Sequence, residues 1–197
     1  MPFKTHLGFE LFNDCLFYRR QAKDLYEGDK SGNIFGIRRS LRNSFVCLSL
    51  YLESRVNEAV YGAITKRLFE LKHADQLGNE EIERFDRFSK LDFGLKLDLL
   101  ELLSGANLKE DSKLNKGLKR FQTTRNAIIH TGQYGWNESY EDYMAKIDDG
   151  IATTRRFVAL LHSKRLTSED KFLSNEEPVD MTKLGFGYLT LRGAGSE

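Results

Sequence analysis

The chain has 197 residues, of which 40% are hydrophobic and 30% are charged, a composition that suits one domain with an ordinary buried core. Its formal net charge of +1 excludes whole-molecule attraction to nucleic acid or anionic lipid, so any such binding needs a local basic patch. Because the sequence lacks a signal-peptide pattern and any run of about 18 apolar residues, we expect a cytoplasmic protein that makes no membrane contact.

The distribution of proline and the spacing of apolar residues predict an all-α fold. Pro2 and Pro178 are the only prolines, and their absence from the interval between is typical of long helices. Apolar residues recur at steps of three and four, which is a helical period. We predict an up-and-down helical bundle of about five helices with a short C-terminal extended segment. The predicted helices cover residues 6–27, 34–71, 80–104, 112–131 and 138–165.

Several residues predict where helices begin and end. A break in the third helix is expected near Leu91–Gly94. Asp111 or Ser112 can cap the start of the fourth helix, because short polar side chains accept bonds from free backbone N–H groups. Gly105 and Gly132 can end helices in a left-handed conformation.

The C-terminal segment differs from the rest of the chain. It is polar and irregular from residue 167 onward, until LGFGYLTL at 184–191, which has the composition of a short strand or an extended arm. A lone strand is marginal, so it would have to dock on the bundle or on a second subunit. We therefore divide the chain into a helical bundle, 1–166, and a C-terminal tail or arm, 167–197.

Cysteines and histidines give no sign of a metal centre. Cys15 and Cys47 both lie inside apolar-periodic segments, which favours two unpaired buried thiols, with a disulfide as the alternative. Their spacing is not that of a metal site, and the four histidines are scattered. We expect neither a metal nor another cofactor.

The fourth helix contains the candidate catalytic residues. Arg125 lies on the stripe formed by Phe121 and Ile128, and buried arginine is rare unless it is paired. Asn126 follows directly and His130 comes at the end of the same helix. The alternative is structural: the arginine reaches solvent, the asparagine bonds to backbone and the histidine caps the helix.

The second helix offers candidate supporting residues. Glu53 and Asn57 are four residues apart on an apolar edge, where polar groups need partners. Glu53 could pair with Arg125 and fix its guanidinium group. A purely structural buried pair is the alternative.

A basic face accompanies the motif helix. Lys116, Lys119 and Arg120 precede Arg125, and together they could form a groove that binds RNA phosphates. A solvated surface is the usual alternative. A second arginine–histidine pair, Arg156 with His162, has a similar loose spacing, and we interpret it as surface.

The segment TTRNAIIHTG at 123–132 resembles the signature of the HEPN superfamily. That signature is an arginine, a polar residue and, a few residues later, a histidine, which Arg125, Asn126 and His130 match. The upstream stretch SLYLESRVNEAVYG at 49–62 is similar to the second helix of HEPN-like proteins, where a Glu and an Asn stand four apart, as Glu53 and Asn57 do here. The resemblance covers about residues 6–165.

The resemblance implies an up-and-down bundle that forms a homodimer, in which two motif helices meet in one composite cleft. It implies a metal-independent endoribonuclease of a toxin–antitoxin, phage-defence or RNA-processing system. RNA would be its substrate, and an antitoxin or a nucleotidyltransferase its partner protein. The alternative is a catalytically silent HEPN-like module that binds RNA, a nucleotide or a protein. A third reading is a plain dimeric scaffold with Arg125 and Glu53 as a structural pair.

The implied chemistry suits these residue types. A histidine can act as base or acid near neutral pH, and an arginine can stabilise charge that develops on phosphorus. On an ideal helix, however, Arg125 and His130 point about 140° apart. The two side chains would therefore have to converge at the helix end or across a dimer interface.

Overall fold

The structure, a computed structural model, describes residues 3–28, 33–70, 91–108, 110–130 and 138–180. These residues form an all-α helical bundle, as predicted, and no strand occurs among them. The bundle contains helices α1 (Phe3–Gly28), α2 (Ile34–Glu70), α3 (Phe93–Ser104), α4 (Ser112–His130) and α5 (Tyr140–Ser163). None of the helices in the described ranges is both long and apolar enough to cross a bilayer.

Helix α2 is the centre of the bundle and contacts each of the other four helices. It runs antiparallel to α1, because Ser44 bonds to Cys15 near the middle of α1 while Ser40 bonds to Gln21 further along. Its inner face contributes several of the largest buried side chains, among them Phe45, Tyr51 and Leu52. The apolar side of α2 therefore lies at the centre of the core.

Helices α4 and α5 pack closely at two glycines. A Cβ on Gly117 would lie 2.8 Å from Oγ1 of Thr153, and a Cβ on Gly150 would lie 3.1 Å from Leu48 and from Phe121. Contacts this short leave no room for a methyl group unless a neighbour moves. The backbone of α4, which carries the candidate site, is thus held close against α5.

The helix ends follow the predicted signals where they are described. Helix α3 begins at Phe93, inside the predicted break, and the side chain of Asp92 accepts a 2.7 Å hydrogen bond from the N–H of Gly94. Gly105 ends α3 with a φ of 66°, a conformation that favours glycine. Residues 80–90 of the third predicted helix and the predicted cap Gly132 lie outside the described residues.

Asp111 caps the start of α4, as one of the two predicted candidates. Its Oδ1 accepts hydrogen bonds from the N–H groups of Lys113 and Leu114, at 3.0 and 2.9 Å. The bond from Leu114 is the main cause that lowers the pKa of this carboxyl group, and the charge of Arg156 acts in the same direction. The capping residue Asp111 was therefore enough to predict where α4 begins.

The first part of the predicted tail is docked on the bundle. The hydroxyl of Tyr51 donates a 2.6 Å hydrogen bond to Asp170, and Arg55 donates to the carbonyl of Ser168. Asn13 exchanges two bonds with the backbone of Val179, at 3.0 and 2.7 Å. The segment 184–191 lies outside the described residues, and the domain boundary at 166/167 stays a prediction.

Candidate functional site

A cavity of about 340 Å³ opens between α2, α4 and the start of α3. It brings together three of the residues predicted from the sequence, Glu53, Arg125 and Asn126. Its volume is at the lower end of the range for small-molecule sites, roughly 300–1,000 Å³. The residues that line it are Ser49, Leu52, Glu53, Leu91, Asp92, Phe93, Phe121, Gln122, Arg125 and Asn126.

Arg125 is half-buried in the wall of this cavity. Its neighbours on the helical stripe, Phe121 and Ile128, are buried in the core, so the predicted stripe is confirmed. The guanidinium Nη1 donates a 3.1 Å hydrogen bond to Oδ1 of Asn126. A guanidinium group has five N–H donors. This bond uses one of them and orients the amide of Asn126 beside the cation.

The expected pairing of Glu53 with Arg125 is wrong. Oε1 of Glu53 instead accepts a 2.8 Å hydrogen bond from Nζ of Lys96 on α3. The side chain of Lys96 is 1% exposed and that of Glu53 is 36% exposed. A buried ammonium group needs a countercharge, and Glu53 supplies it for Lys96. Lys96 of α3 therefore takes the position beside Glu53 that was expected for Arg125. Glu53 still lines the cavity together with Arg125.

The other two predicted site residues are Asn57 and His130, one on α2 and one on α4. Asn57 is half-buried on α2, one turn beyond Glu53, and is not among the residues that line the cavity. His130 is the last residue of α4. Its side chain lies outside the described residues, so its approach to Arg125 stays a prediction.

The predicted RNA-binding residues lie on α4, and two of them border a second cavity. This groove, of about 520 Å³, runs between α4 and α5 and is bordered by Lys119 and Arg120. Arg120 donates a 3.3 Å hydrogen bond to Asp149 on α5. Lys116 is exposed on α4 but is not among the lining residues. Phe121 lines both cavities, but the other α4 residues that line them differ, so the two cavities face different sides of α4.

The second arginine–histidine pair is at the surface, as predicted. Arg156 donates a 2.7 Å hydrogen bond to Oδ2 of Asp111, which caps α4. His162 is exposed, and its Nδ1 lies 3.3 Å from the carbonyl oxygen of Thr167. Neither residue lines either cavity.

Both cysteines are free thiols; Cys15 is buried, as predicted, whereas Cys47 is only half-buried. Burial raises the pKa of Cys15 to about 12 and that of Cys47 to about 11. Neither lines either cavity, so neither belongs to the candidate site. Within the described ranges, no group of three or more His, Cys, Asp or Glu residues is arranged to hold a metal ion.

Sequence reasoning missed three polar residues that line the cavity, Ser49, Asp92 and Gln122, and it also missed Lys96, which bonds to Glu53. Lys96 carries the clearest signal, because it is a single basic residue on the inward side of the leucine-rich segment FGLKLDLLELLS. Ser49 and Gln122 each precede a predicted site residue by one helical turn, on the same face. A search one helical turn before Glu53 and before Asn126 would have found both residues.

Comparisons with known protein families, with curated proteins and with solved structures each gave no match to this chain.

Proposed function

We propose that this protein is a metal-independent endoribonuclease of the HEPN type. The observation that carries the proposal is the cavity itself, which brings Glu53 of α2 together with Arg125 and Asn126 of α4, the helix that ends at His130. These residues come from two helices far apart in the chain. The resemblance of TTRNAIIHTG to the HEPN signature adds to this support.

The proposed reaction is attack by the 2′-hydroxyl of RNA on its own adjacent phosphorus. His130 accepts the hydroxyl proton, the new P–O2′ bond forms and the P–O5′ bond breaks. The products are a 2′,3′-cyclic phosphate and a 5′-hydroxyl, which takes its proton from a second histidine acting as acid. Arg125 donates to the phosphoryl oxygens, where negative charge grows in the transition state.

The need for a second histidine favours a homodimer. One protomer supplies one His130, whereas base and acid are both required, so we place the two α4 ends across a two-fold axis. Light scattering at micromolar concentration should then give the mass of a dimer. A monomer at that concentration would contradict the composite site.

The groove on the other side of α4 supplies a surface for the RNA backbone. Lys119 and Arg120 border it, and exposed Lys116 lies on the same helix. Changing the three to alanine together should weaken RNA binding and lower its dependence on salt, because fewer counterions are released. The rate of the chemical step at saturating RNA should stay the same.

A cleavage assay tests the proposal. Single-stranded RNA is incubated with the protein in EDTA, and the variants Arg125→Ala and His130→Ala are compared with the wild type. Both variants should lose cleavage, whereas the surface control His162→Ala should retain it. Equal cleavage by His130→Ala and the wild type would contradict the mechanism, as would complete inhibition by EDTA.

A catalytically silent module that binds RNA or a nucleotide is the second candidate. The observation that favours it is the size of the cavity, about 340 Å³, which suits a small ligand without requiring chemistry. RNA binding without cleavage by the wild type would select this candidate.

For either candidate we propose a cytoplasmic location. We also propose that the protein belongs to a toxin–antitoxin, phage-defence or RNA-processing system, with an antitoxin or nucleotidyltransferase as partner.

A further inference from the structure

The cavity beside Arg125 has two polar walls of opposite hydrogen-bonding character. On α2, Ser49 and Glu53 are four residues apart and share one face. On α4, Gln122 and Asn126 have the same spacing and lie beside Arg125. The α2 wall therefore offers a carboxylate acceptor, while the α4 wall offers guanidinium donors and amide groups that can donate. Asp92 also lines the cavity, and its Oδ1 accepts from the N–H of Gly94.

Lys96 fixes the carboxylate on the α2 wall. Its Nζ donates to Oε1 of Glu53 at 2.8 Å, and the lysine side chain is 1% exposed, so Glu53 is the countercharge of a buried cation. This contact holds the carboxylate of Glu53 in one place. A carboxylate has about four lone-pair sites, and Lys96 occupies one of them. The remaining sites are available to a ligand in the cavity.

Apolar groups complete the cavity. Phe93 and Phe121 are aromatic residues from two different helices, and Leu52 lies between the polar residues of α2. Aromatic and aliphatic side chains of this kind are what single-stranded RNA bases stack against when they are splayed out of a helix. The cavity thus combines an apolar surface with hydrogen-bonding groups at its edges, as a base-binding pocket requires.

We propose that this cavity binds a guanine base of single-stranded RNA, with Glu53 accepting from its N1–H and N2–H groups and the α4 wall donating to its O6 and N7. Guanine is the one common RNA base whose Watson–Crick edge presents two adjacent N–H donors, which match the two oxygens of a carboxylate. Arginine donating to O6 and N7 is the commonest specific contact to guanine. Adenine and cytosine each place a ring acceptor beside their amine, which a carboxylate repels.

The inference rests on the proposed function, since it names the base that the ribonuclease holds. It can nevertheless be measured without cleavage, by isothermal titration of the wild-type protein with nucleoside monophosphates. GMP should bind roughly 5- to 160-fold more tightly than AMP, CMP or UMP, the range for one good bidentate base contact. IMP lacks the 2-amino group and should bind more weakly than GMP.

The variants test the residues. Glu53→Gln should abolish the preference for GMP over IMP, because an amide cannot accept both N–H groups. Glu58→Gln is the matched control on the same helix, where the carboxylate bonds to Ser168 outside the cavity, and it should keep the preference. If Glu53→Gln does not fold, the comparison of GMP with IMP on the wild type and the loss of GMP affinity in Asn126→Ala decide the matter.

Three results would overturn the proposal: equal affinities for the four mononucleotides, a preference for GMP that Glu53→Gln leaves unchanged, or no binding of GMP at millimolar concentration. If RNA is still cleaved in any of these cases, the guanine pocket is wrong and the ribonuclease assignment stands. Selective binding of GMP without any RNA cleavage would support the pocket and contradict the ribonuclease.

Discussion

Replacing Glu53 by glutamine removes the countercharge of a buried lysine and should destabilise the protein. The side chain of Lys96 is 1% exposed, so its ammonium group cannot regain hydration when the carboxylate is lost. Breaking a fully buried pair from one side costs about 3–5 kcal/mol. Because Glu53 is 36% exposed and glutamine keeps one hydrogen bond to Nζ, we expect about 2 kcal/mol here.

The opposite change should cost much less. Lys96→Met removes the cation and leaves a methionine of similar length in an apolar site. Glu53, being 36% exposed, can then be solvated by water. The expected loss is under about 1 kcal/mol, typical of a pair whose surviving charge reaches solvent. The two halves of one ion pair are thus predicted to differ in cost because they differ in burial.

Urea unfolding followed by circular dichroism measures both costs and, with the double variant Lys96→Met/Glu53→Gln, their coupling. The double variant should be more stable than Glu53→Gln alone, because it no longer buries an unpaired charge. If Lys96→Met were the more destabilising of the two, or if the two changes were simply additive, the buried pair would not be the cause of the asymmetry.

Three further predictions follow from contacts outside the cavity. Tyr51→Phe removes the hydroxyl that donates to the buried carboxylate of Asp170, and urea unfolding should show a loss of about 1–3 kcal/mol in the free energy of unfolding. An unchanged midpoint would mean that the docked tail does not support the bundle. Gly117→Ala should lower the melting temperature, since overpacking costs about 1–3 kcal/mol against a gain of about 1 kcal/mol in helix propensity. Adding Thr153→Ala should restore it, and a failure to do so would refute the close contact. At pH 8 the raised pKa values keep Cys15 and Cys47 protonated, so both should be alkylated more slowly than in the urea-unfolded chain, with buried Cys15 the slower. Equal rates in the folded and unfolded protein would contradict this.

The parts of the fold that could be predicted from the sequence are those determined by local signals. The absence of proline and the apolar spacing predicted the helices. Asp111 and Gly105 predicted two helix ends, because caps depend on residues within one turn. The stripe through Arg125 predicted which side of α4 faces the core. These inferences need only the geometry of a single helix.

The partners of the site residues could not be predicted, because they depend on how helices cross. Nothing local indicates that α3 places Lys96 rather than Arg125 against Glu53. The docking of the tail is similar: Asp170 meets Tyr51 across more than a hundred residues of chain. For both contacts the sequence shows a polar residue that needs a partner, and only the three-dimensional arrangement selects the partner.

The most direct test of an RNA-cleaving cavity at Arg125 is to identify the ends of the RNA fragments that the purified protein produces in EDTA. We predict a 2′,3′-cyclic phosphate on one fragment and a 5′-hydroxyl on the other, in the wild type and in His162→Ala, and no fragments in Arg125→Ala or His130→Ala. Fragments with a 5′-phosphate, or the same fragments from Arg125→Ala, would contradict the proposed reaction.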